Sequence, residues 1–112
     1  IKFGKGRGQF TAGDLMKVAL AGCAALSSQF AVEHTLGDGK GAKIVVDGTY
    51  DADTELIGFD EQVVIDATDA GLSDEDAEKL ADRVSRHIEK GCTVKHTYVE
   101  PTPVRMNVTV KH

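Results

Sequence analysis

The sequence predicts an α+β domain with a mainly antiparallel sheet, a buried central helix and a second, amphipathic helix. Three observations carry that reading. Residues 13–30, GDLMKVALAGCAALSSQF, form the longest apolar run, with Lys17 the one charge between Leu15 and Leu26. Residues 73–90, SDEDAEKLADRVSRHIEK, set Ala77, Leu80, Ala81, Val84 and Ile88 on one stripe at helical spacing, opposite a charged face. Four further segments are rich in alternating or β-branched residues and are joined by short polar turns, the pattern of strands. Such strands with helices interspersed define the α+β class. With 112 residues the chain is read as one domain, 1–112, in keeping with a usual domain size of roughly 100–150 residues.

Residues 1–9, IKFGKGRGQ, are basic and glycine-rich. Gly4, Gly6 and Gly8 follow no strand, so they read as a loop rather than a phosphate cradle. The chain opens without Met, which suggests a fragment or a missing upstream segment. The first helix is expected over about 12–34. Thr11 and Asp14 supply its capping box, and LGDGKG, with Gly37, Gly39 and Gly41, ends it. A helix apolar on all sides needs protein around its whole circumference, which a partner subunit would supply.

A strand over 42–50 places Ile44, Val46 and Tyr50 on one face. After the polar stretch DADTE, a second strand over 56–67 has Ile57, Phe59, Val63, Ile65 and Ala67 in alternate register. Glu61 interrupts that face, which predicts a bulge or an exposed strand end there. The two are expected to pair antiparallel. In the second helix, Ser73 and Asp76 read as a capping box, Asp74 and Glu75 suit the first turn, Lys90 the last, and Gly91 the left-handed position beyond it. A strand over 93–100 would put Val94, His96 and Tyr98 on one side. A turn at 101–103 leads to a last strand, where Val104, Met106, Val108 and Val110 alternate with Arg105, Asn107, Thr109 and Lys111.

The net charge of −5, from 18 acidic and 13 basic residues, argues against nucleic acid as a partner. The absence of Trp and an aromatic content of 5% weaken any base-stacking role. No secretory signal is evident. The apolar run lies inside the folded pattern, contains Lys17 and reads as too short for a bilayer, so no membrane partner is expected and a soluble cytoplasmic protein is the default. Two cysteines are too few for a disulfide scaffold, leaving inert core residues, a metal pair or redox chemistry. Cys23 and Cys92 belong to no CxxC or Cys/His pair. His34, His87, His96 and His112 have no metal-binding register, so neither metal nor cofactor is expected. His96 reads as a half-buried structural residue, Glu33 and His34 as solvated or capping groups, and Met16, Phe30 and Met106 as core.

An acidic residue followed by LMKVALAGCAALSS and then two strands resembles the first half of the OsmC/Ohr family of thiol peroxidases. GFDEQVVIDATDAGLSDEDAEKL, an amphipathic helix, IEKGCTV and PTPVRMNV are similar to the second half. The resemblance runs from about Thr11 onward. Its most specific element is a Cys in a buried Ala-rich helix paired with a Cys ending the next helix. It implies an OsmC-like fold, with N-terminal strands upstream of this sequence, in an intertwined homodimer that buries the Cys-bearing helices at its centre. It also implies a stress-response peroxidase acting on organic hydroperoxides or hydrogen peroxide. Cys23 would be the peroxidatic residue, attacking as thiolate and becoming a sulfenic acid. Cys92 would resolve it as a disulfide that an external dithiol reduces. These roles agree with general thiol chemistry.

A thiol buried in an apolar helix has a raised pKa and is expected to need a nearby cation. The family uses an Arg from an N-terminal strand, held by a Glu near the start of the buried helix. In this chain Arg7, in the glycine-rich loop, and Asp14, nine residues before Cys23, are the candidates for those supporting roles. Helix capping explains Asp14 equally well. Two other readings stay open: a non-catalytic OsmC-like dimer that binds a small apolar ligand between subunits, and a structural dimer with inert thiols.

Overall fold

The computed structural model describes residues 1–52 and 55–111. Asp53 and Thr54, in the expected turn between the first two strands, and His112 lie outside the described residues. The protein is α+β, with three α-helices and a two-stranded antiparallel sheet among the described residues. Helix α1 (Ala12–Leu36) starts at a reciprocal capping box. The Thr11 hydroxyl accepts the Asp14 N–H at 3.0 Å, and the Asp14 carboxylate accepts the Thr11 N–H at 2.9 Å. Such a cap is worth about 0.5–2 kcal/mol. The helix ends at Gly37, whose φ of 107° is strained for any residue with a Cβ. Glu33 closes this end: its carbonyl accepts the Gly37 N–H at 2.8 Å and its carboxylate the Gly39 N–H at 2.9 Å.

Strands β1 (Lys43–Asp51) and β2 (Glu55–Val64) pair antiparallel, with Ile44 opposite Val63, Val46 opposite Glu61 and Gly48 opposite Phe59. The irregularity expected at Glu61 lies elsewhere, between Thr49 and Tyr50, where β2 carries an extra residue. That insertion changes the phase of the alternation, as one residue must. Leu56 therefore points inward and Ile57 is exposed, contrary to the expected register. Glu61 does not interrupt the inner face; it continues the row formed by Phe59 and Val63. Tyr50 stays on the helix-facing side but is 45% exposed, its hydroxyl beside Gly13 and its ring under the Lys17 ammonium, 5.3 Å from the ring centre.

Helix α2 (Asp74–Gly91) begins at Ser73, whose hydroxyl accepts the Asp76 N–H at 3.1 Å, a one-way cap rather than a reciprocal box. Leu80, Val84 and Ile88 are buried against Leu20, Ala24, Ala31 and Val32 of α1. Ala77 and Ala81, at the margins of the predicted stripe, remain exposed. Gly91 is the last helical residue rather than a left-handed cap, and the Cys92 N–H reaches the Ile88 carbonyl at 3.0 Å.

The largest correction follows. The expected strand over 93–100 is a helix, α3 (Thr93–Val99), which begins directly after Cys92. On a helix Val94 and Tyr98, four residues apart, share a face, and both pack against the core. Tyr98 stacks on Phe59 at 5.1 Å between ring centres and donates its hydroxyl to the Met16 carbonyl at 2.9 Å. His96 is turned away to the surface, where its ring bonds the Glu89 carbonyl. The expected last strand is also absent: residues 101–111 have no regular structure and pair with no strand, leaving Met106 87% exposed.

Helix α1 buries one face, formed by Leu20, Ala24, Ser28, Ala31 and Val32. Its opposite face carries Leu26 at 81% exposure and Phe30 at 71%. Phe30 and Met106 are thus not core residues within this chain; Phe30 stacks on His34 at 5.9 Å and His87 at 6.5 Å. At 25 residues α1 is also long and apolar enough to cross a membrane, longer than the apolar run alone suggests.

Leu80→Ala should lower the unfolding free energy by about 2–5 kcal/mol, because it opens a cavity beneath the α2 stripe. Ala81→Ser, on the exposed margin, should stay within about 0.5 kcal/mol of the parent. Urea unfolding monitored by circular dichroism measures both.

Candidate functional site

The seating of α2 on α1 determines where the two cysteines meet. Cys23 lies mid-way along α1, one residue before buried Ala24. Cys92 follows α2 four residues after buried Ile88 and is itself fully buried. The last turn of α2 runs close to α1: a Cβ on Gly91 would stand 3.5 Å from the Ser27 hydroxyl oxygen, so that position has room for little more than a methyl group. The result is a contact between the two cysteines at 3.2 Å. Both are free thiols joined by a hydrogen bond. A bonded pair needs a sulfur separation of about 2.05 Å, so a small movement would suffice to link them.

The two thiols ionise in opposite directions. The Cys23 thiol is held below its ordinary range, chiefly by the Val94 backbone amide, with the Cys92 thiol, the Thr93 amide and the Ser27 hydroxyl adding to it; burial opposes them. The Cys92 thiol is pushed up, first by burial and then by Cys23 and the charge of Glu61, while the Lys95 amide opposes the rise. Hydrogen bonds to the charged form favour thiolate and desolvation disfavours it. Cys23 is therefore the more readily ionised thiol of the pair, and Cys92 the one that holds its proton more firmly.

The groups that lower Cys23 are amides, a thiol and a hydroxyl, not the cation expected from the sequence. The two amides come from the first turn of α3, the segment that reads as a strand. The signal that could have located them is the Val94–Tyr98 spacing, which suits a helix face better than it suits a strand carrying His96 between them. Neither supporting candidate is among them. Asp14 is committed to the Thr11 cap, whose backbone amide is the main cause of its lowered pKa, and to Lys17 at 3.8 Å. Arg7 is exposed in an N-terminal loop closed by bonds between Phe10 and both Gly4 and Lys2, at 3.0 and 2.9 Å.

A second feature escaped the sequence. Glu61 faces the helices, its Oε2 buried without a hydrogen-bond partner among the described residues. Burial raises its pKa, Glu89 adds to the rise and Lys95 opposes it. Glu61 and Lys95 line two neighbouring cavities. One, of about 460 Å³, is walled by Leu20, Phe59 and Tyr98; the other, of about 310 Å³, by Val84, Ile88 and Glu89. Among the described residues no group of three or more His, Cys, Asp or Glu side chains could hold a metal.

Fold and site together define a small α+β protein with an asymmetric dithiol between its helices. No family model matches the chain, and no solved structure matches it. It is 34% identical over 101 residues to the uncharacterized protein Rv2923c of Mycobacterium tuberculosis and to the uncharacterized protein Mb2948c of Mycobacterium bovis. The match covers 90% of this chain and 73% of each relative. The chain belongs to the same family as these mycobacterial proteins.

Alkylation of the native, reduced protein with iodoacetamide should modify Cys23 first, with a rate that half-saturates at a pH below that of an ordinary cysteine. Cys92 should react only at higher pH or on unfolding. Cys92→Ala removes a donor and should raise the Cys23 pKa. Peptide mapping against pH reads each outcome, and preferential labelling of Cys92 would contradict the assignment.

Proposed function

We propose that the protein is an OsmC-like, two-cysteine, thiol-dependent peroxidase that reduces organic hydroperoxides or hydrogen peroxide in the cytoplasm. The observation that carries this reading is the 3.2 Å contact between a cysteine favoured as thiolate and a cysteine favoured as thiol. An ordinary or raised Cys23 would have suited an inert or ligand-binding pair instead.

In the proposed cycle the Cys23 thiolate attacks the distal peroxide oxygen. The O–O bond breaks, and the departing alkoxide or hydroxide takes up a proton. Cys23 is oxidised to a sulfenic acid. Cys92 then attacks the Cys23 sulfur, the S–O bond breaks, and the departing hydroxide and the Cys92 proton leave as water. An external dithiol reduces the resulting disulfide by exchange and restores both thiols. The backbone amides of Val94 and Thr93, rather than a cation, would hold the attacking thiolate.

The same reading includes an intertwined homodimer. Its support is apolar surface that one chain leaves open: Val18, Leu26 and Phe30 along α1, and the alternating Val104, Met106, Val108 and Val110 of the unpaired C-terminal segment. A patch of this kind marks an interaction surface more often than free solvent contact. A second copy would provide the cover that an apolar helix needs.

Cumene hydroperoxide consumption with dithiothreitol tests the enzymatic reading. The wild type should turn over, Cys23→Ser should be inactive, and Cys92→Ser should stop after one turnover with a dimedone-reactive sulfenic acid at Cys23. No consumption by the wild type, or full activity of Cys23→Ser, would end the proposal.

A further inference from the structure

Glu61 is the charged residue on an otherwise apolar inner sheet face that includes Ile44, Val46, Phe59 and Val63. A buried carboxylate oxygen without a partner is costly, and folds retain few of them without a functional reason. The natural neutraliser is engaged elsewhere: the Lys95 ammonium bonds Glu89 at 3.0 Å. Glu61 shares one cavity with Ile88, Glu89 and Lys95, the residues that flank Cys92 in the chain. Its charge also acts on the Cys92 thiol.

We propose that Glu61 is the proton acceptor for Cys92 when Cys92 attacks the oxidised Cys23 sulfur. This rests on the peroxidase reading for its physiological setting, but the proton transfer belongs to any closure of the Cys23–Cys92 disulfide. With a sulfenic acid, the Cys92 thiol gives its proton to the Glu61 carboxylate as the S–S bond forms and the S–O bond breaks. The leaving hydroxide recovers that proton and departs as water. The Cys23 sulfur is reduced from sulfenic acid to disulfide, and the Cys92 sulfur is oxidised.

The raised pKa of Glu61 suits this task, since a base is more effective when its pKa approaches that of its partner. The groups facing it are Lys95 and Tyr98 on α3, Glu89 on α2, Cys92 at the junction between those helices, and Cys23 beyond Cys92 on α1. The Tyr98 hydroxyl is occupied by the Met16 carbonyl.

The test uses an aromatic disulfide, dithiobis-nitrobenzoate, as oxidant, so it needs no peroxidase activity. Attack by Cys23 forms a mixed disulfide and releases one thionitrobenzoate. Attack by Cys92 on the Cys23 sulfur then closes the protein disulfide and releases a second. In stopped flow, Glu61→Gln should slow the second phase relative to the first by about tenfold or more. The wild-type second phase should fall at low pH as Glu61 is protonated and level off above that. In Glu61→Gln it should climb steadily with pH, following ionisation of Cys92, and Glu61→Asp should restore part of the plateau. A Glu61 that acts only as a nearby charge predicts the reverse, because removing that charge eases Cys92 ionisation and speeds the second phase. An unchanged or faster second phase overturns the proposal. So does a wild-type profile without a carboxylate limb, a measurement that depends on no variant. Failure of the peroxidase reading would show instead as the absence of hydroperoxide turnover, with both thionitrobenzoate phases intact.

Discussion

The contact between the Leu80, Val84 and Ile88 stripe of α2 and the Leu20, Ala24, Ala31 and Val32 face of α1 determines the rest of the molecule. Small residues at Ala24 and Ala31 let the helices approach closely, and Gly91 keeps the last turn of α2 against Ser27. Cys92 follows that turn directly, so docking the stripe delivers it to Cys23. The same junction starts α3, whose first amides then meet the Cys23 sulfur. Helix packing, thiol proximity and thiol ionisation are consequences of one interface.

That interface sets two identical side chains to opposite tasks. Burial alone would raise both thiols. Amide donors reverse the effect at Cys23, whereas the neighbouring negative charge of Cys23 and Glu61 deepens it at Cys92. Chain direction fixes the asymmetry: Cys23 is inside a helix whose own amides are already bonded and receives donors from another element, while Cys92 precedes the donors it helps to position.

Strong periodicity made much of this legible in the sequence. The N-caps at Thr11 and Ser73, the apolar run and the 3.6-residue stripe located α1 and α2, and alternation located β1 and β2. The misread parts are those where tertiary packing overrides local preference. Thr93, Val94, Thr97 and Val99 favour strand by composition, but Val94 and Tyr98 dock on the core only as an i, i+4 pair. One extra residue opposite Thr49 and Tyr50 reversed the phase at the start of β2, turning Leu56 rather than Ile57 inward, while Glu61 keeps the register of Phe59 and Val63. The alternating segment after Pro103 has the pattern of a strand, yet a strand requires a partner and this chain presents none among its described residues.

The most direct test of the account is to treat the reduced protein with one equivalent of an organic hydroperoxide, without external dithiol, and to map both cysteines by mass spectrometry. The account predicts a single intrachain Cys23–Cys92 disulfide and the loss of two hydrogens from the intact chain. Cys23 oxidised to sulfinic acid beside a free, alkylatable Cys92 would contradict it, as would a disulfide joining Cys23 of two chains.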